Sequence, residues 1–356
     1  MSFKLVENVK EAKRPFVVAG PCSVESQEQM LDIAQSIAKN SNVKLLRGGI
    51  WKPRTRPNSF EGVGGIGLPW LVEAGKTAGL PVATEIANAQ HVELALKAGV
   101  DVLWIGARTT VNPFAVQEIA DAIRGTDIPV MIKNPINPDL NLWIGAFERL
   151  AKANVKDLVG IHRGFSVYNH PKYRNAPNWE IPIGLMEKMP EIPIINDPSH
   201  ICGNRTDLLS IAQKAMDLNF AGLMIETHPN PDKAWSDAEQ QITPDNLQEL
   251  LNQLILRDEV LEEGEVGFLE LQRRKISELD DELFQLLQLR MQIAEDIGKY
   301  KRENGIVILQ SKHWHTIVHK QLAKSNELGL SEEFLRIILD AIHQESINKQ
   351  NSVMNF

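Results

Sequence analysis

Cys22, His200, Glu226 and Asp237 together offer sulfur, nitrogen and oxygen donors, a mixture that suits a divalent transition metal better than Ca2+ or Mg2+. A second set, Arg47, Lys52, Arg54, Arg108, Lys133 and Arg163, is cationic, and the planar fork of arginine fits phosphate and carboxylate. Gathered in one mouth, these cations call for a substrate with at least two anionic groups. A metal Lewis acid beside them suits chemistry on the carbonyl of a phosphorylated compound. Glu226 adds a local reason to look for such a partner. It ends the apolar run "GLMI", and a carboxylate there needs a cation, a helix N-terminus or water. Singly, each residue also has a bland reading: Cys22 as a small buried hydrophobe, His200 as a satisfied core histidine, a strand-end charge as a solvated loop residue. Their common placement has to decide.

That placement follows from the elements. Between residue 15 and about 257 the runs "PFVVAG", "KLLRGG", "PVATEI", "VLWIGA", "PVMIKNP", "LVGIHRG", "PIINDPS" and "GLMIETH" are each followed by a helix-length stretch. The runs are apolar throughout, as strands covered on both faces must be, and their succession predicts a (β/α)8 barrel, with a doubly wound sheet as the alternative. Barrel enzymes carry their sites at the strands' C-terminal ends. Those ends deliver Cys22, then Arg47 with Lys52, Arg54 and Thr55, then Glu85, Arg108, Lys133, Arg163, His200, and Glu226 with Asp237. Every strand contributes to one ionic rim.

Near "RDEVLEEGEVG" the composition turns acidic, and beyond it only helical periods remain. The expected division is a barrel over 1–257, a linker at 258–265 and an all-α domain over 266–356, with helices at about 266–303, 310–325 and 331–350. Strand one falls inside the first 20 residues, so no regulatory domain is expected before it. The formal net charge of -8 and the absence of a basic run exclude an electrostatic nucleic-acid interface. Two cysteines, no apolar signal core and no stretch long enough to span a membrane predict a soluble, cytoplasmic protein.

In the tail, Arg290 and Lys301 are eleven residues apart and so differ by about 20° around a helix. Leu283, Leu287, Ala294 and Ile297 share that face. Cations inside an apolar stripe need either carboxylate side chains or an enclosed acidic ligand. Arg273 lies roughly 100° away, where it could reach another chain's site. An apolar seam on so long a helix is best buried against a second copy, giving a homodimer or larger oligomer.

Through "AGPCSVES", "LRGGIWKPRT", "ATE", "IGAR", "IKNP", "GIHRGF", "NDPSH" and "IETHPNPDKAWSD" the first 257 residues resemble the type I-beta class of 3-deoxy-arabino-heptulosonate-7-phosphate (DAHP) synthase, which opens the shikimate pathway. The resemblance implies condensation of phosphoenolpyruvate with erythrose 4-phosphate and release of phosphate. It implies that Cys22, His200, Glu226 and Asp237 bind Mn2+ or a similar ion. Phosphoenolpyruvate would meet Arg108, Lys133 and Arg163 with Arg47 and Lys52 nearby, and Lys52, Arg54 and Thr55 would hold the sugar phosphate. Lys133 and Lys52 are candidate proton donors, on the expectation that burial among cations lowers a lysine pKa. The sibling family that makes 3-deoxy-manno-octulosonate 8-phosphate is the alternative, but it carries a "KANRSS"-like stretch where this chain has "KPRTRP". Arg56 and Asn58 depart from the usual "KPRTSPYSF".

The tail resembles the all-helical chorismate mutase family through "LQRRKISELDDELFQLLQLRMQIAEDIGKYK" and "IHQESINKQ". That implies a dimer in which Arg290, Lys301 and Gln350 of one chain and Arg273 of the other surround chorismate, with Ser346 as a substrate contact. The family's Asp-x-x-Arg-Glu pattern is replaced here by Gln310, His313 and Trp314. A degenerate domain kept for dimerisation or sensing is the alternative to an active mutase.

Overall fold

The computed structural model describes residues 3–12, 14–53, 60–167, 172–257 and 266–354, the side chains of 266 and 311–313 excepted. Arg54, Thr55, Arg56 and Asn58, the expected linker at 258–265 and the His313 side chain lie outside the described residues. The chain divides into two compact units, Met1–Glu259 and Val260–Phe356.

In the first unit, parallel strands close into a barrel in chain order. They are β1 Phe16–Gly20, β2 Val43–Arg47, β3 Val82–Ile86, β4 Val102–Ile105, β5 Val130–Lys133, β6 Leu158–His162, β7 Ile194–Asn196 and β8 Gly222–Glu226. β8 pairs with β1 along its whole length, from Phe16 opposite Gly222 to Gly20 opposite Glu226. The runs do not alternate because both faces are buried. Phe16, Val18, Leu45, Trp104, Met131, Ile161 and Met224 fill the interior. Val17, Leu46, Leu103, Ile132 and Leu223 pack outward against Ile33, Leu71, Ile119 and Phe147 of the surrounding helices. Each such side chain contributes on the order of 1.5–3 kcal/mol by burial. Loops enter their helices through capping side chains, among them Ser26, Asn88, Asp139, Asp197 and Thr243.

A helix the strand pattern did not announce, Leu5–Glu11, covers the N-terminal end of the barrel. Leu5 and Val9 join the interior cluster. The backbone N–H groups of Leu5 and Val6 donate to the Asp157 carboxylate at 2.7 and 2.6 Å.

Among its described residues the second unit has helices and no strands: Val266–Glu303, Ser311–Leu322, Ser325–Leu328 and Glu332–Met354. The sequence predicted three helices, and the structure adds the single turn 325–328, which ends on Gly329 at φ 65°. The long first helix packs along the last. At Gly298 the two backbones approach so closely that a Cβ would stand 2.8 Å from Gln350 Cα. Elsewhere the long helix leaves Leu279, Leu283, Phe284, Leu286 and Leu289 more than half exposed. Among the described residues no helix is long and apolar enough to cross a membrane.

Candidate active sites

Arg47, Lys133 and Glu226 are the last residues of β2, β5 and β8, and Arg163 and Asp197 directly follow β6 and β7. Barrel closure therefore brings them onto one rim. Arg47 Nη2 stands 3.0 Å from Glu226 Oε1, with both side chains buried. Arg47 keeps Nε and Nη1 buried without a hydrogen-bond partner among the described residues. Its guanidinium carbon lies 5.1 Å from the Trp104 ring centroid, and Lys133 Nζ lies 5.9 Å from the same ring. Lys133 Nζ is 3.0 Å from Asp197 Oδ2. Arg163 is buried, donating to Asn175 Oδ1 at 2.6 Å while its own N–H donates to Asn134 Oδ1 at 2.7 Å. Arg108 is exposed, and Glu85 is half-buried, its Oε2 accepting from Trp104 Nε1 at 2.9 Å. Gly106 permits that last contact, since a Cβ there would meet Glu85 Oε1 at 2.3 Å.

The four candidate metal ligands stand differently from the convergent set the sequence suggested. Among the described residues, no three of His, Cys, Asp and Glu are gathered as a metal-holding group. They form two pairs: Cys22 Sγ is 3.2 Å from Asp237 Oδ2, and His200 Nε2 is 3.7 Å from Glu226 Oε1. The physical reason is that each carboxylate is held by other groups. Glu226 faces Arg47 and accepts from Gln240 Nε2 at 2.6 Å. Asp237 accepts from Arg174 Nη1 at 3.2 Å, and Lys52 Nζ lies 2.8 Å from Cys22 Sγ. The donor chemistry still fits a divalent transition ion. Among the described residues Glu226 Oε1 and His200 Nδ1 are buried without an aligned hydrogen bond, although Asp197 Oδ2 lies 2.8 Å from the latter. Asp237 sits in the left-handed region at φ 45°, a conformation Asp tolerates and that is found at functional sites.

Burial, with Glu226 and Asp237 nearby, pushes the Cys22 thiol up to about 12, so ligation would require the ion to displace its proton. Burial alone would raise Glu226, but His200, Arg47 and Lys52 hold it below the usual carboxylate range. Burial lowers Lys52, yet Cys22, Glu226 and Asp237 outweigh it and the net direction is up. The expectation that cations would lower this lysine is therefore corrected: its neighbours are predominantly anionic. Burial brings Arg163 down to about 10, leaving it charged at neutral pH.

Sequence reasoning missed Asp197, Trp104, Arg174 and Gln240. Asp197 lay within reach, since "NDPSH" places an acid at a strand exit like the others. Gln240 and Arg174 carried no signal, because their partners lie 14 and 63 residues away.

In the helical unit, a cavity of about 320 Å3 is lined by Arg290, Lys301, Ser346 and Gln350 together with Gln310, Trp314 and His343. Arg290 donates to Ser346 Oγ. Lys301 Nζ donates to Gln350 Oε1 at 3.0 Å and to Ile308 O at 2.6 Å. Ala294 and Ile297 line the cavity as the helical period predicted, while Leu283 is exposed. Burial lowers the pKa of both cations. Among the described residues neither has a carboxylate partner, whereas Arg273 lies away from the cavity, paired with Glu270 at 3.0 Å.

The sequence profile of the DAHP synthetase I family matches residues 8–263. The chain belongs to the DAHP synthetase I family. The profile of chorismate mutase type II matches residues 272–351, so a chorismate mutase domain follows the synthase domain. A phospho-2-dehydro-3-deoxyheptonate aldolase of Thermotoga maritima is 30% identical over 238 residues, which are 67% of this chain and 68% of that one. A 2-dehydro-3-deoxyphosphooctonate aldolase of Acidovorax ebreus is 26% identical over 292 residues, covering 74% of this chain and 96% of the other. Among solved structures, the crystal structure of the Thermotoga maritima DAHP synthase superposes with a TM-score of 0.61 at 28% identity, covering 67% of each chain. A truncated form of the Thermotoga maritima enzyme gives 0.58 at 26% identity, covering 67% of this chain and 84% of that one. The likeness to DAHP synthase thus rests on sequence and fold together.

Proposed function

We propose that this DAHP synthetase I family member is bifunctional: its barrel condenses phosphoenolpyruvate with erythrose 4-phosphate, and its helical domain converts chorismate to prephenate. For the barrel, the observation that carries the reading is the buried guanidinium of Arg47, which among the described residues keeps two unpaired donors on the rim that also carries Lys133 and Arg163. An anion carrying both carboxylate and phosphate satisfies them. Cys22, His200, Glu226 and Asp237 would hold the divalent ion, Mn2+ or similar, which supplies polarisation of the aldehyde. Lys133 is positioned by Asp197 to steady the carboxylate end of the substrate and to hand a proton to the developing hydroxyl. Lys52, Arg54 and Thr55 would grip the sugar phosphate. Replacing Lys133 by Met should abolish phosphate release while the bound metal content stays unchanged; retained turnover would overturn the proton-donor role.

For the helical domain, the carrying observation is the pair of cations, exposed Arg290 and buried Lys301, lining one apolar cavity with no carboxylate partner among the described residues. A dicarboxylate neutralises both. The rearrangement is pericyclic and needs no nucleophile, so Lys301 and Gln350 at the ether oxygen, where charge develops, supply the stabilisation. Exposed Leu279, Leu283, Phe284, Leu286 and Leu289 support burial of the long helix against a second copy, which would also bring in that copy's Arg273. Arg290→Ala should remove chorismate turnover, and a turnover that survives would place the chemistry elsewhere. Prephenate bound in this cavity would act on the barrel only by binding one arrangement of the protein better than another. Inhibition of DAHP formation by prephenate that persists in Arg290→Ala would sink that regulatory reading. The two cysteines are free and buried, which suits a reducing, cytoplasmic setting.

A further inference from the structure

The helical cavity has a wall that its cations do not explain. Trp314 and His343 stack face to face, ring centroids 3.8 Å apart and planes 6° from parallel, and both rings line the space beside Arg290 and Lys301. Chorismate, the ligand proposed above, carries two carboxylates, an ether oxygen and one ring hydroxyl. The carboxylates and the ether only accept hydrogen bonds, and the donors of Arg290, Lys301 and Gln350 suit them. The hydroxyl is the group that donates, and it needs an acceptor in the wall.

Acceptors are scarce there. Arginine, lysine and the indole of Trp314 have none. Gln350 Oε1 already accepts from Lys301 at 3.0 Å. Ser346 Oγ accepts from Arg290 and donates to Ile342 O at 2.7 Å. Among the described side chains two candidates remain, Gln310 and His343. Gln310 is exposed, and holding it in place would draw on rotamer entropy. His343 is half-buried and its ring is already fixed by the stack, with no hydrogen bond of its own among the described residues.

We propose that His343, held flat against Trp314, accepts the hydrogen bond of the ligand's ring hydroxyl and is a further specificity-determining residue of this cavity. The inference rests on the chorismate reading of the preceding subsection. It requires a neutral imidazole. Among the described side chains, the charged groups that bear on the ring are Arg290 from the long helix and Asp340 from its own helix, with Lys301 in the same cavity; Trp314, which faces it from the middle helix, is uncharged. Burial and then Arg290 draw His343 below the usual histidine pKa against the opposing pull of Asp340, so the ring is neutral near pH 7. Acidification turns the acceptor into a donor.

The test uses the full chain. The KM for chorismate is measured from about pH 8 down to about pH 5 in the wild type, His343→Gln and His343→Leu, along with competitive binding of a chorismate analogue lacking the ring hydroxyl. His343→Leu should weaken chorismate about tenfold and leave the analogue unchanged, as expected for one lost hydrogen bond. His343→Gln, which keeps an acceptor, should recover most of that affinity. In the wild type KM should rise on acidification, and in His343→Gln it should stay flat; this pair of profiles decides even where His343→Leu does not fold. A wild-type KM that falls with acid, or equal weakening of both ligands by His343→Leu, overturns the inference while leaving the mutase reading in place. A wild type that neither binds nor turns over chorismate removes the reading and this inference with it.

Discussion

Lys133 Nζ lies 3.0 Å from Asp197 Oδ2, and almost none of either side chain reaches solvent. Lys133 is not a free cation waiting at the rim: its direction is set by an acid from the next strand but one. Removing that acid leaves a buried ammonium without compensation. Asp197→Ala should destabilise the protein by roughly 3 kcal/mol and lower DAHP formation at least about tenfold, read by thermal melting and by phosphate release. An unchanged melting temperature would mean that water or Glu85 takes over the pairing.

Removal of divalent metal should separate the two proposed activities. With a chelator present, phosphate release from phosphoenolpyruvate and erythrose 4-phosphate should stop, and return on adding Mn2+. Chorismate turnover should be indifferent, because among the described residues no group of three His, Cys, Asp or Glu side chains gathers to hold a metal, and His343 is the one such residue lining the helical cavity. Loss of both activities would contradict the assignment of the metal to the barrel.

His162, the last residue of β6, is fully buried, with Nε2 2.6 Å from Pro177 O and Nδ1 3.0 Å from Asn196 Nδ2. Burial lowers its pKa to about 4. A depressed folded value means the neutral form is favoured, so this stabilisation is complete above the unfolded pKa near 6.5. It is lost as pH falls from there through about 4. The contribution is roughly 3 kcal/mol. Urea midpoints measured across that window should decline in the wild type, with a shallower decline in His162→Gln.

Gly106→Ala should be harmful although it adds one methyl. A Cβ there would meet Glu85 Oε1 at 2.3 Å, displacing the carboxylate that accepts from Trp104 Nε1. Trp104 in turn lies under Arg47 and Lys133. A loss of about 1–3 kcal/mol is expected, together with a raised KM for phosphoenolpyruvate and a shift in tryptophan fluorescence. A variant with wild-type KM would show that Glu85 has room to move.

The barrel was legible because burial on both faces removes alternation from a strand, and runs such as "VLWI" and "GLMI" carry that mark directly. The rim was legible for the same reason, since knowing where a strand ends tells which residue faces the mouth. What stayed hidden is pairing across the barrel. Arg47 meets Glu226, and Lys133 meets Asp197, through a closure that brings together residues far apart in the chain. The sign of the Lys52 shift was misjudged on that account: its sequence neighbours are cationic, while its spatial neighbours are Cys22, Glu226 and Asp237. In the tail, helical phase located Arg290, Lys301 and Ala294 on one wall. It could not disclose the stack of Trp314 on His343, which joins two helices.

The Asp157 carboxylate that receives the N–H groups of Leu5 and Val6 lies about 150 residues downstream of them. During synthesis the opening helix therefore has no seat until more than half of the barrel has been made. β1 likewise lacks one of its two neighbours until β8 arrives. Residues made ahead of the rest of the barrel are thus among the last to find their place, and until then their apolar side chains are open to other chains and to chaperones.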